Sequence, residues 1–201
     1  MQYIANHRAA GVSLIAVALI TAGCSSGKTA DAPPPQAGGS ATSTSVAAAP
    51  PTAVKLIGES NVEVTLTGPI AAKYSSATED QKQALGKPLT GDRNAGTRDS
   101  GLVFQQFEGG VITARNDVAG TPAYITLGKI REAWNIPRNP DGTPAVDGTN
   151  GSAGPLGYPI SDQIAVGDLL VSNFEHGKIE YTPKTGKVEV AVNGKVVPSG
   201  L

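Results

Sequence analysis

Asn61-Val62-Glu63-Val64-Thr65-Leu66 alternates polar and apolar side chains. A period of two predicts a half-buried strand. Gly68-Pro69 ends it, and a proline in the first turn of a helix then places Ile70 and Tyr74 on one face. Thr78 and Gln81 have capping-box spacing, and Gly86 supplies a stop. Residues 69–85 are therefore predicted to be helical, in two pieces broken near Ser75-Ser76. Strand-like runs at 111–114 and 123–127 predict a hairpin. Those at 178–181 and 187–192 predict another, across Pro183-Lys184-Thr185-Gly186. Between the hairpins, residues 128–134 place Ile130 and Trp134 on one face of a short helix.

The segments recur in order. Leu85-Gly86-Lys87-Pro88-Leu89-Thr90-Gly91-Asp92 matches Leu156-Gly157-Tyr158-Pro159-Ile160-Ser161-Asp162. Phe107-Glu108-Gly109-Gly110-Val111-Ile112-Thr113 matches Phe174-Glu175-His176-Gly177-Lys178-Ile179-Glu180, and Gly128-Lys129-Ile130 matches Gly194-Lys195-Val196. This is an internal repeat with copies at about 74–134 and 135–197, the first a few residues longer around 94–100. Each copy reads as a glycine that turns the backbone left-handed, a proline that fixes an extended exit, a phenylalanine that anchors a strand, and a tight turn into a hairpin. The second copy lacks the closing helix or replaces it with a short strand. The expected class is β-rich α+β: two repeats of short β-hairpins with short helices, preceded by a strand and helix. The repeat domain is expected over 54–201. A Pro-, Gly-, Asn- and Asp-rich loop at 135–154 is long enough to be an insertion or a functional element.

The N-terminal part is of another kind. Arg8 precedes an apolar run at 9–20, then Thr21-Ala22-Gly23-Cys24. A cation, an apolar stretch too short to span a bilayer and small residues before a cut predict a signal peptide over 1–23. Cys24 is the single cysteine in the chain, so no disulfide pair exists. Its placement resembles the lipobox, with Thr21 where leucine is usual, and implies acyl chains on Cys24 as a membrane anchor. Residues 25–53 hold Ser, Thr, Ala, Pro and Gly with hardly a large apolar side chain, and are expected to be a disordered linker. A coil of about 28 residues spans roughly 30 Å. The expected location is the extracytoplasmic face of the membrane, with the domain reaching into the wall. The net charge of −1 is mixed along the sequence, which gives no footprint for nucleic acid.

Catalytic chemistry finds little support. His7 falls in the signal, leaving His176 as the one candidate base, with Ser161 or Ser172 as nucleophile. His176 stands where the other copy has Gly109, which reads as a turn position tolerant of positive φ. No nucleophile elbow occurs. Asp92 and Asp162 are taken as equivalents, as are Glu108 and Glu175, and repetition suggests that they hold turns or backbone N–H groups. Asn139, Asp141, Asp147 and Asn150 offer oxygen atoms, but their spacing fits ordinary turns and no calcium loop. No enzyme, metal or cofactor is expected.

Trp134, Leu156-Gly157-Tyr158-Pro159, Phe174-Glu175-His176-Gly177 and Ile179 resemble the LGFP repeat of actinobacterial envelope proteins. The first copy departs from it, with Lys87 for the aromatic residue and Tyr74 for the tryptophan. The resemblance implies attachment to cell-wall polysaccharide, arabinogalactan or peptidoglycan, by a lipoprotein that supports the envelope. Glycan sites usually offer an exposed aromatic face with polar neighbours. Trp134, Asn135 and Tyr158 are the candidates, with Asp92 and Asp162 as polar partners. Trp134 and Tyr158 also fit core and turn roles. The alternative function is docking on an envelope enzyme or export partner through the 135–154 loop.

Overall fold

The computed structural model describes residues 53–201. The predicted signal peptide, Cys24 and the linker up to residue 52 lie outside the described residues. Ala53 already belongs to a strand, one residue before the expected start.

The alternation that predicts a strand is realised as β2 (Glu63–Thr67), which pairs antiparallel with β1 (Ala53–Ile57). β1 went unnoticed because it abuts the linker. Two helices follow, α1 (Gly68–Ser76) and α2 (Glu79–Leu85), broken next to the serine pair as expected. Thr78 and Gln81 form the reciprocal capping box, with bonds of 3.2 and 3.0 Å. The first repeat builds a sheet in the order β3 (Ala95–Thr97), β4 (Val103–Gln106), β5 (Gly110–Ala114), β6 (Ala123–Leu127). Helix α3 (Gly128–Trp134) leads out of it. The second repeat builds β7 (Ile164–Val166), β8 (Leu169–Phe174), β9 (Gly177–Thr182), β10 (Lys187–Val192) and β11 (Lys195–Val197), adjacent in that order. β11 is the short strand that replaces the closing helix. The fold is β-rich α+β, as expected. Among the described residues no helix is long and apolar enough to cross a membrane.

Both predicted hairpins form, β5 with β6 and β9 with β10. Every residue of β5 is buried, because both faces of the first sheet are covered. Ile112 and Ala114 pack with Val103 and Ile125 against α1, α2 and the β1–β2 hairpin. Val111, with Phe104 of β4, turns the other way, toward α3 and the second sheet. The first sheet is therefore a wall shared by two cores. In one, Tyr74 stacks on Phe107 with ring centroids 5.8 Å apart; in the other, Trp134 lies 5.8 Å from Phe174. The aromatic residue upstream of each copy thus closes that copy's core, which gives Tyr74 and Trp134 one role.

Two alignments shift by one residue. Gly110 opposes Leu127 and Gly177 opposes Val192, so the equivalent of Gly128 is Asn193 rather than Gly194. Both have positive φ, 46° and 49°. Counting without a gap from Pro88 and Pro159 likewise sets Gly91, not Asp92, opposite Asp162. His176 does not have the positive φ expected of it, and neither does Gly109. Gly109 is glycine for packing reasons: a Cβ there would overlap the Ala84 carbonyl oxygen at the end of α2. The second copy has no such helix before Leu156, so His176 fits.

Candidate functional site

The turn that opens each repeat is built twice with the same bonds. Gly86 has φ 72° and Gly157 φ 74°. The next N–H, of Lys87 or Tyr158, donates to Glu108 Oε2 or Glu175 Oε2, at 3.0 Å in both copies. The Glu108 and Glu175 N–H groups donate back to the Lys87 and Tyr158 carbonyls, again at 3.0 Å. The repeated glutamates therefore hold backbone N–H groups, as their repetition suggested. Glu175 does more: its Oε1 pairs with Arg115, whose guanidinium lies 4.8 Å over the Tyr158 ring. The Tyr158 hydroxyl donates to the Ser100 carbonyl at 2.5 Å. Tyr158 is thus half-buried and joins one repeat to the other, instead of offering a free ring face.

Trp134 is also not an exposed platform. It is 5 % exposed, and its Nε1–H donates to the Gly157 carbonyl at 3.1 Å. The helix period left it open to a core or a glycan role, and packing on Phe174 puts it in the core. Asp162 is committed as well. Its Oδ1 accepts the Ile125 N–H at 2.8 Å, and the Gln163 N–H donates to the Ile125 carbonyl at 3.1 Å. These bonds cover the free edge of β6, an edge that otherwise invites pairing with another chain. Asp162 Oδ2 takes Lys73 and the Gln81 amide. Asp92 is exposed and away from this clamp.

A cavity of about 230 Å³ gathers two of the five proposed glycan residues, Trp134 and Asn135. Its apolar wall is Leu102, Phe104, Val111 and Trp134. Its polar rim is Arg98, Asp99, Ser100, Gln106, Thr113, Arg131, Asn135, Asn150 and Ser152. The rim comes from two places that looked incidental in the sequence. Arg98 to Ser100 belong to the β3–β4 turn, the extra length of the first copy. Asn150 to Ser152 are the end of the long loop. Ser100 and Ser152 hydroxyls meet at 2.7 Å across the mouth, and Asn150 Nδ2 donates to the Asn135 carbonyl at 3.1 Å. Sequence reasoning missed Arg98, Arg131 and Thr113. The length difference between the repeats was the available signal.

The cavity's charges are unequal. The Arg98 guanidinium lies 4.6 Å over the Phe104 ring. Arg131 donates to the Gln106 side-chain oxygen, and burial pulls its pKa below the ordinary value. Glu132, its neighbour, is held by Lys129 at 2.6 Å. Among the described residues, neither Arg98 nor Arg131 has an ion-pair partner.

The rest of the long loop is structural. Arg138 is 1 % exposed, and its guanidinium donates to four carbonyls: Gly142 at 2.9 Å, Pro198 at 2.8 Å, Ser199 at 2.6 Å and Ala133 at 3.3 Å. The loop folds round this side chain. Asp141 builds its tip, accepting the Thr143 hydroxyl at 2.6 Å and N–H at 2.9 Å, bonds that hold the Asp141 carboxyl below its ordinary range. Asn139 Nδ2 joins them at 3.2 Å. No three His, Cys, Asp or Glu residues converge among the described residues. His176 is exposed and bonded to neither serine by its side chain; Ser161 Oγ accepts the Asn173 N–H at 2.9 Å.

Two similar β-modules in series, each closed by an aromatic residue from the preceding helix, define a repeat protein. Residues 85–142 and 156–196 match the family model of the LGFP repeat, and the chain belongs to that family. No curated protein matches it.

Proposed function

We propose that this is a non-catalytic, membrane-anchored lipoprotein whose LGFP repeats bind cell-wall glycan, arabinogalactan or peptidoglycan, and support envelope integrity. The observation that carries the reading is the inter-repeat cavity, with an aromatic and aliphatic wall under amide, hydroxyl and guanidinium groups. A sugar has the same division between apolar C–H faces and polar edges. The signal-like N-terminus and Cys24 supply the anchor, and no cofactor enters the reading. Weak affinity suffices, since a tether of roughly 30 Å holds the domain at high effective concentration beside the wall. The glycan residues are revised accordingly: Asn135 stays, Arg98, Arg131 and Ser152 join it, and Tyr158, Asp92 and Asp162 leave. Trp134 stays as wall.

The full chain is expected to sediment with isolated insoluble cell wall and to lose most of that retention in Asn135→Ala/Ser152→Ala, with the melting temperature unchanged. Absence of wild-type retention overturns the reading. Cys24→Ala is expected to move the protein from the membrane fraction to the soluble one or to leave an uncleaved precursor. Mass analysis of the mature N-terminus checks this, and an unmodified Cys24 counts against the anchor.

One observation favours docking on an envelope protein instead. Along the β7 side of the second sheet, Ile160, Ile164 and Val166 are about half exposed. The 135–154 loop, the contact first expected, is packed round Arg138. Capture of the wild type by wall material and loss of capture in rim variants would set this second reading aside.

A further inference from the structure

We infer that the inter-repeat cavity recognises a carboxylate-bearing sugar rather than a neutral one. The inference rests on the glycan reading and names the ligand class of the same site. The first ground is charge. Arg98 and Arg131 line the cavity with no carboxylate at ion-pair distance from either. Glu132, which favours the Arg131 charge from a distance, is paired with Lys129, and Asp99, the one acid on the wall, is exposed to water that screens it. Arg131 is partly desolvated and has only the Gln106 amide as a side-chain partner, so an incoming anion meets a cation that has already lost much of its hydration. A planar guanidinium matches a carboxylate through two parallel N–H bonds.

The second ground is independent. Thr113 lies on the cavity side of β5, in step with Val111, and is 1 % exposed. Its hydroxyl oxygen has no hydrogen-bond partner. A buried hydroxyl left so carries a desolvation penalty that nothing offsets, and a ligand oxygen at the cavity wall would remove it. Phe104 and Trp134 are nearly buried, and beside it they offer a small apolar surface for sugar C–H groups rather than a stacking platform. A bare inorganic anion would leave that surface unused.

Titration calorimetry on the purified full chain tests this with N-acetylmuramic acid, N-acetylglucosamine and lactate. The first two share the sugar and differ by the lactyl carboxylate. The acid is expected to bind about tenfold more tightly than the neutral sugar, the size of one charge-assisted bond. The preference should shrink in high salt and disappear in Arg131→Gln. Arg98→Gln should reduce it too, and because Arg98 is exposed this variant stays informative if Arg131→Gln unfolds. Equal affinity for the two sugars, or binding of neither, overturns the inference. Lactate binding as tightly as the acid also overturns it, since the sugar would then contribute nothing. Wall retention without acid preference removes this inference and leaves the glycan reading. Acid preference without wall retention does the reverse.

Discussion

Gly157→Val is expected to lower stability by about 3–4 kcal/mol, and Gly86→Val by a similar amount. The position is left-handed in both copies, which costs a residue with a Cβ about 1–2 kcal/mol. A Cβ at either site would also stand 2.6 Å from the glutamate Oε2 that holds the next N–H. Moving that carboxylate forfeits a charge-assisted bond worth about 1.5–3 kcal/mol. The second copy has more to lose, because Glu175 also carries Arg115 and so joins the two repeats. Chemical denaturation measures the cost. Glu175→Gln is the control: it keeps an acceptor for the Tyr158 N–H and should cost less than half as much. Unchanged midpoints in both valine variants would refute the shared turn mechanism.

Arg138→Leu is expected to cost about 3–5 kcal/mol, because it strips a charged donor from four carbonyls, and hydrogen bonds to a charged group are worth about 1.5–3 kcal/mol each before the neighbours relax. On a domain of this size that is a fall in melting temperature of roughly 10–15 °C. The guanidinium is the common donor for the end of α3, the tip of the long loop and the C-terminal segment. A leucine fills part of the volume but leaves four carbonyls without that donor. Arg138→Lys should fall between, because one ammonium cannot span four acceptors. Differential scanning calorimetry decides, and a shift under 3 °C for leucine would show that the loop holds itself.

Much of the fold was legible because its signals are local. The capping box at Thr78 and Gln81, the break at Ser75-Ser76, the helix at residues 128–134 and both hairpins rest on contacts within a few residues. The repeat was legible because the same local problem, leaving a turn through Gly and Pro, is solved twice with the same residue types. Where two residues can trade places, the reading slipped. Asn193 does the work of Gly128, since asparagine also tolerates positive φ, and the neighbouring Gly194 drew the match. Strand β1 runs straight on from the linker, and β3 is only three residues long, so neither stood out.

The site was less legible, and the reason is distance along the chain. Trp134 looks like a sugar platform or a core residue from its neighbours alone; only Phe174, forty positions away, assigns it to the core. Asp162 could be a glycan partner or a holder of backbone N–H groups, and only the β6 edge and Lys73 show that it is the latter and already paired. The cavity exists because a turn near residue 99 and a loop end near residue 151 close over the same sheet face. The sequence by itself determined the two-repeat, β-rich class, the glutamate-held turns and the family. These follow from chain chirality, hydrophobic period and short-range bonds. The tertiary structure alone decided which aromatic rings are buried, which carboxylates are already paired, and where two arginines stand without an ion-pair partner. Those properties belong to pairs of residues far apart in the chain, and no local pattern encodes their meeting.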